Sequence, residues 1–259
     1  MRWMRRCRSF AYLLTATLLT SAVGLGQSAS AKFHVVAIAE AGGIHKPFVD
    51  AAKAWLAQEA TTDGFTIDYI EKSDPIDDAF LSRYQLFIQL NYPPYGWKSA
   101  AAQAFQRYIE QGRGAWIGFH HATLLGEFDG FQMWPWFSAF MGGIRFTNYI
   151  PGFASATVKV EARTHPVMKG VPSRFEAKDE EWYTYDKSPR GNVHVLASVD
   201  EHTYRPDTAT KMGDHPVIWS NEHVKARNVY IFMGHHPDLF ENRSFTTIFR
   251  NAILWAAQR

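Results

Sequence analysis

The stretch Gly112-Arg-Gly-Ala-Trp-Ile-Gly-Phe-His-His-Ala122 decides the fold. Ala115 to Phe119 is a short apolar run of the kind shown by a strand buried on both faces, with a Gly-bearing helix stop before it and a turn directly after it. Runs of the same kind occur at Lys32 to Ala39, Phe65 to Ile70 and Gln85 to Leu90. Between them lie helical stripes. Phe48, Ala51, Ala52, Trp55 and Leu56 share one helix face, with Pro47 near its start, where a missing N–H costs nothing. A short helix is expected over Pro75 to Tyr84 and a longer one from Trp97 to about Gln111. This alternation predicts a parallel sheet with helices on both faces.

Further along, Phe131 to Met141 reads as an aromatic helix, and Ala154 to Ala162 alternates like an exposed strand. Asn192 to Val199, His215 to Trp219 and Val229 to Met233 read as strands. A closing helix carries Phe245, Ile248, Phe249, Ala252, Ile253 and Ala256 on one face. The expectation is an α/β, flavodoxin-like three-layer sandwich with a mostly parallel central sheet. It forms a single domain over residues 32–259, with an inserted β-containing segment at roughly 125–190.

The first 31 residues stand apart. A basic start containing Arg2, Arg5, Arg6 and Arg8, an uncharged run from Phe10 to Val23 and Ala29-Ser30-Ala31 read as a signal peptide cleaved near Ala31. Arg5-Arg6 followed by Cys7-Arg8-Ser9 fits a twin-arginine signal poorly, so the general export route to the periplasm or exterior is expected. The apolar run is too short to cross a bilayer, and no later segment reaches that length. Removing the leader leaves 228 residues with net charge −2. That excludes a polyanion-binding, nucleic-acid partner, and 46% hydrophobic residues exclude disorder. Cys7 goes with the leader, which excludes disulfides, Cys-ligated zinc and a Cys nucleophile.

In open parallel sheets ligands bind at the carboxyl ends of strands. Three His-bearing turns fall there: Glu40-Ala-Gly-Gly-Ile-His45, Gly118-Phe-His-His-Ala122 and Met233-Gly-His-His236. The second has the shape of a nucleophile elbow, with His120 where a hydrolase carries Ser or Cys. Imidazole suits acid/base work or metal ligation better than acyl transfer. Lys178-Asp-Glu-Glu-Trp-Tyr183 adds carboxylates beside aromatic rings able to stack on sugars. His165 reads as a loop anchor, and His34, His194, His202 and His223 as structural or surface residues.

The chain resembles the ThuA-like (trehalose utilisation) family, a branch of the class I glutamine amidotransferase-like fold. The resemblance rests on Gly112 to Ala122, Met141-Gly-Gly-Ile-Arg-Phe146, His165-Pro-Val-Met-Lys-Gly170, Phe175 with Asp179-Glu180, His215-Pro-Val-Ile-Trp219, Val229 to His235 and Ala252 to Ala256, in the family's order. Where the family often places a His after the Gly-Gly-x-Phe segment, this chain has Thr147-Asn148-Tyr149. The resemblance implies loss of amidotransferase chemistry and a role in sugar catabolism, beside dehydrogenases that make 3-keto sugars.

Two functions follow as expectations. The first is an enzyme on 3-keto-glycosides or related sugar derivatives, with His120 as base or metal ligand, Glu180 as its acid/base partner and His235 and His45 stabilising the enolate. A divalent, zinc-like ion on His45, His120 and His235 is the cofactor considered, with His121, Trp182, Tyr183 and Asn148 contacting substrate. The second is a non-catalytic carbohydrate-binding protein that uses the same pocket, with Trp134, Trp136, Trp182 and Tyr183 stacking on sugar rings. A free sheet edge and the aromatic insertion would suit a homo-oligomer.

Overall fold

The apolar runs become strands close to where their pattern places them. The computed structural model describes residues 31–258, so the leader, apart from Ala31, lies outside the described residues. Strand β1 (Phe33–Ala39), helix α1 (Lys46–Asp63), β2 (Phe65–Ile70), α2 (Asp78–Leu81), β3 (Leu86–Leu90), α3 (Ser99–Glu110) and β4 (Ala115–Phe119) follow in the expected alternation. After α4 (Pro135–Phe140) come β5 (Phe146–Tyr149), β6 (Ala154–Val160), β7 (Arg174–Glu180), β8 (Tyr183–Tyr185) and β9 (His194–Arg205). The chain closes with β10 (Pro216–Ser220), β11 (Asn228–Ile231) and α5 (Arg243–Ala257).

Nine strands form one sheet in the order β2-β1-β3-β4-β11-β10-β9-β6-β7. The first five are mutually parallel, and each of the last four runs antiparallel to its neighbour. The parallel part has the flavodoxin-like order, with its topological switch between β1 and β3. Side chains three apart on β4 point to opposite faces and show both helical layers. Trp116 packs on Phe137 and Phe140 of α4, whereas Phe119 packs on Phe48 of α1 and on Phe245 and Phe249 of α5.

The 125–190 segment differs from a separate insertion. Its strands β6 and β7 extend the main sheet, and only the ribbon of β5 with β8 stands apart. The sequence reading missed β7, because Arg-Phe-Glu-Ala-Lys-Asp-Glu buries only Phe175, Ala177 and Glu180 and leaves its other side chains exposed. Strand β9 also runs six residues past the expected end at Val199. Among the described residues, no helix is long and apolar enough to cross a membrane.

His165 anchors a loop, as expected. Its Nδ1 accepts the Val167 amide at 3.3 Å, which requires the neutral ring, and the ring packs against Trp255 and His194. Burial, then the nearby His194 charge, lowers its pKa from 6.5 to about 4. With the folded pKa below the unfolded one, the His165 contribution is full above pH 6.5 and lost as pH falls towards 4. The ring is half-buried, so the effect is about 1 kcal/mol rather than the full linkage value. Urea midpoints at pH 7 and pH 4.5 are expected to differ less in His165→Asn, which keeps a capping acceptor without a titrating ring; an equal difference in both proteins counts against this role.

Candidate functional site

Loops leaving four adjacent parallel strands meet above their carboxyl ends. Strand β1 runs into Glu40 and then His45, the residue capping α1. Strand β3 ends beside Asn91 at φ +53°, and β4 runs straight into His120 at φ +36°. Gly234 and His235 follow β11. A fifth contribution comes from Glu181 in the β7–β8 connection and Tyr183 at the start of β8.

His45, His120 and His235 are buried, at 2%, 0% and 4% exposure. Their ring centroids lie 5.0 Å (His45–His120), 4.4 Å (His45–His235) and 5.6 Å (His120–His235) apart. One nitrogen from each ring and one Glu181 oxygen all fall within 4.8 Å of one another. Glu181 Oε2 is 3.7 Å from His120 Nε2. Neither nitrogen of any of these three rings has a protein hydrogen-bond partner. Glu40 Oε2 faces His45 Nδ1 at 3.5 Å and His121 Nδ1 at 3.4 Å. His121 Nδ1 also lies 3.1 Å from the Asn91 carbonyl, to which it donates.

Non-glycine residues rarely adopt the His120 backbone conformation, and strain of that kind persists only where surroundings enforce it. Here the hydroxyls of Thr123 and Tyr230 reach the His120 carbonyl at 3.0 and 3.1 Å, and Tyr185 braces Thr123 at 2.8 Å. The facing Gly234 leaves room for this turn. A Cβ there would stand 2.9 Å from both His120 Cβ and Asn91 Oδ1. Asn91 Nδ2 donates to the Gly234 carbonyl at 2.5 Å, which ties the β3 loop to the β11 loop.

The electrostatics keep the imidazoles neutral. Burial, followed by the charges of His121, His45 and His235, holds His120 well below its ordinary pKa. Burial likewise depresses His45, and takes His235 down to about 3. Burial would raise Glu40, but the facing His121 and His45 rings outweigh it and hold the carboxyl at about 2. Burial raises Glu181. Three neutral imidazoles with free lone pairs, beside a carboxylate, form a donor set for a borderline divalent cation such as zinc. Glu40 supplies the outer carboxylate that typically orients a ligating His.

The structure brings together His45, His120, His121, His235 and Tyr183, whose ring lies 4.4 Å from that of His120. It corrects the other expectations. Glu180 does not face the cluster. It is fully buried, and burial pushes its carboxyl well above the usual range against the opposing amides of Gly234 and His235. Glu181 takes the place expected of Glu180. Period-two alternation carries the signal: Glu181 and Tyr183 share one face, Glu180 and Trp182 the other. Trp182 is accordingly core, stacked on Phe232 at 5.2 Å, with its indole N–H donating to the Ala154 carbonyl at 2.7 Å. Asn148 is exposed on β5, whose cavity-facing residues are Phe146 and Tyr149. Trp134 and Trp136 pack around Phe105 of α3, away from the His cluster. Glu40 and Asn91 were not singled out by the sequence.

A parallel 2-1-3-4-11 core with a strained turn at the end of β4 defines a flavodoxin-like α/β protein in which histidine sits at the turn. The chain belongs to the ThuA family, described as trehalose utilisation, which its sequence matches over residues 34–256. It is similar to a ThuA-like protein from Bacteroides uniformis at 30% identity and TM-score 0.77, over 88% of this chain and 93% of that one. A ThuA-like protein from Parabacteroides merdae aligns at 16% identity and TM-score 0.60, over 87% and 90% of the two chains. A GMP synthase subunit protein from Thermoplasma acidophilum shares the fold at 12% identity and TM-score 0.54, over 87% and 94%. No curated protein matches the chain.

Proposed function

We propose that the protein is an exported enzyme of sugar catabolism that cleaves 3-keto-glycosides or related sugar derivatives, and that it has no glutamine amidotransferase activity. The observation that supports this reading is the convergence of three buried imidazoles with Glu181, beside a cavity that His45 and Glu181 line. A ketone at C3 acidifies the C2 proton. A base removes that proton, the C1–O bond breaks by elimination, and the aglycone leaves with a proton. Water then adds across the resulting enone, so the net reaction is hydrolysis. Glu181, raised by burial and reaching the cavity, is the base in this scheme. The proton that Glu181 takes up passes on to the leaving oxygen, and His121 lines the cavity beside it. His45, His120 and His235 would hold a divalent cation, whose contribution is to polarise the ketone as a Lewis acid.

The test is an NMR time course with a 3-keto-glucoside and its unoxidised parent. The keto form alone should be cleaved, with solvent deuterium entering C2, and His120→Ala should lower the rate at least a hundredfold. Cleavage of the parent sugar at equal rate, or full activity in His120→Ala, sinks the proposal. A carbohydrate-binding protein without catalysis would show only line broadening with the parent sugar.

A further inference from the structure

The outer half of the cavity has a different chemistry from its floor. A continuous track of rings leads outward from the cluster. His120 contacts Tyr183 at 4.4 Å, Tyr183 contacts Phe146 at 5.0 Å, Phe146 contacts Phe128 at 5.8 Å, Phe128 stacks on Tyr95 at 5.2 Å, and Tyr95 meets Phe131 at 6.2 Å. The track runs from a fully buried imidazole to a Phe that is 48% exposed. At His235 the cluster meets another exposed ring, Phe153, at 4.6 Å and 40% exposure.

Among the described residues, five large apolar side chains are exposed, and four of them end the track (Phe131), line the cavity (Ile44 and Tyr149) or pack on the cluster (Phe153). A concentration of that kind marks a binding surface rather than ordinary scatter. The cavity, of about 390 Å³, is lined by Glu40, His45, His121 and Glu181, which gather at the His cluster, and by Leu124, Phe128, Phe146 and Tyr149, of which Phe128 and Phe146 belong to the ring track.

This polarity fits one kind of ligand. A second sugar ring would present hydroxyls along its whole edge, and Leu124, Phe128 and Phe146 offer them nothing, leaving the Tyr149 phenol and, further along the track, that of Tyr95. Rings met edge-on and face-on instead favour a flat apolar group. We propose that the outer cavity is an aglycone subsite, so that the substrate is a glycoside of an aromatic or similarly apolar alcohol, with its oxidised sugar ring over the His–Glu floor. The volume lies in the range of small-molecule sites. This assignment rests on the function proposed above for the orientation of the sugar, and on the aromatic track for the aglycone.

The experiment compares phenyl and methyl glucosides of one anomeric series, first as unoxidised parents by calorimetric titration and then as 3-keto forms by turnover. Phenyl should bind about tenfold more tightly than methyl. Tyr149→Ala and Phe128→Ala should each shrink that ratio towards one. Tyr149 is exposed, so its variant is expected to fold and keeps the test clear if the Phe128 variant does not. Equal affinities for the two glucosides, a ratio unchanged in Tyr149→Ala, or binding of neither overturns the subsite. Aryl preference without turnover of any keto form upholds the subsite and removes the proposed reaction. Turnover indifferent to the aglycone does the reverse.

Discussion

Chelator-stripped protein is expected to take up one equivalent of zinc or cobalt per chain, and His120→Ala to bind it at least a hundredfold more weakly. The expectation comes from six ring nitrogens. His45, His120 and His235 are buried without a protein partner for either nitrogen. A buried polar atom left unsatisfied costs about 1–3 kcal/mol. Natural folds keep such groups only where something outside the chain satisfies them or a function needs them. Water would satisfy some of these atoms, but one nitrogen from each ring and a Glu181 oxygen lie within 4.8 Å of one another, which suits a single cation. A cation takes up those same lone pairs, and the Glu181 carboxylate balances part of its charge. Cobalt gives a readout independent of turnover, since visible absorption of tetrahedral intensity requires the imidazoles as ligands. Binding should also raise thermal stability by about 2.7 kcal/mol at a hundredfold excess over Kd. A stripped protein that shows no cobalt spectrum and no shift in Tm on titration would remove the ion from the mechanism. Loss in the His120 variant is the larger effect, because Thr123 and Tyr230 hold the strained His120 turn and so fix where its imidazole stands.

Much of this site was legible because strand ends are predictable from apolar runs. Once Ala115 to Phe119 and Val229 to Met233 read as buried strands, the residues following them had to emerge at one edge of the sheet. That logic alone places His45, His120 and His235 together. It gives no access to contacts set by side-chain direction. Glu180 and Glu181 are adjacent and chemically identical, and only the face each occupies separates a buried carboxyl from one facing the cluster. Asn91 follows β3 with nothing in its own sequence to mark it, since its role depends on the Gly234 carbonyl, 143 residues away. The edge strand β7 was missed for a related reason. One of its faces meets solvent, so its charges mask the apolar signal that makes central strands visible. Trp182 shows the opposite failure: an aromatic beside acidic residues suggests a sugar platform, yet the Phe232 stack and the Ala154 bond make it core.

Gly118 carries the second large prediction, and it reverses the usual reason for a glycine at an elbow. The sequence suggests that small flanking residues free the backbone for a tight turn. Gly118, however, does not adopt positive φ; the residue that does is His120. The requirement at 118 is space. A Cβ there would fall inside the indole of Trp116, far closer than any real contact. That ring is fully buried, lies against Phe137 and Phe140, and donates its N–H to Gln89 at 3.0 Å, so it cannot swing aside without breaking packing and a buried hydrogen bond. The backbone cannot yield either, because Gly118 pairs with Gln89 of β3 on one side and Tyr230 of β11 on the other. Gly118→Ala is therefore expected to cost about 3 kcal/mol or more, beyond the common range for a single added methyl. For a domain of this size that lowers Tm by about 10 °C. Removing the obstacle should remove most of the cost. In a Trp116→Leu background the same Gly118→Ala step should cost less than about 1 kcal/mol, since the methyl then enters space vacated by the indole. Two equal costs would mean that the backbone, and not the ring, makes glycine necessary. The comparison bears on function as well, because Gly118 lies two residues before His120, and a strand displaced by Trp116 would carry the elbow and its imidazole away from His45 and His235.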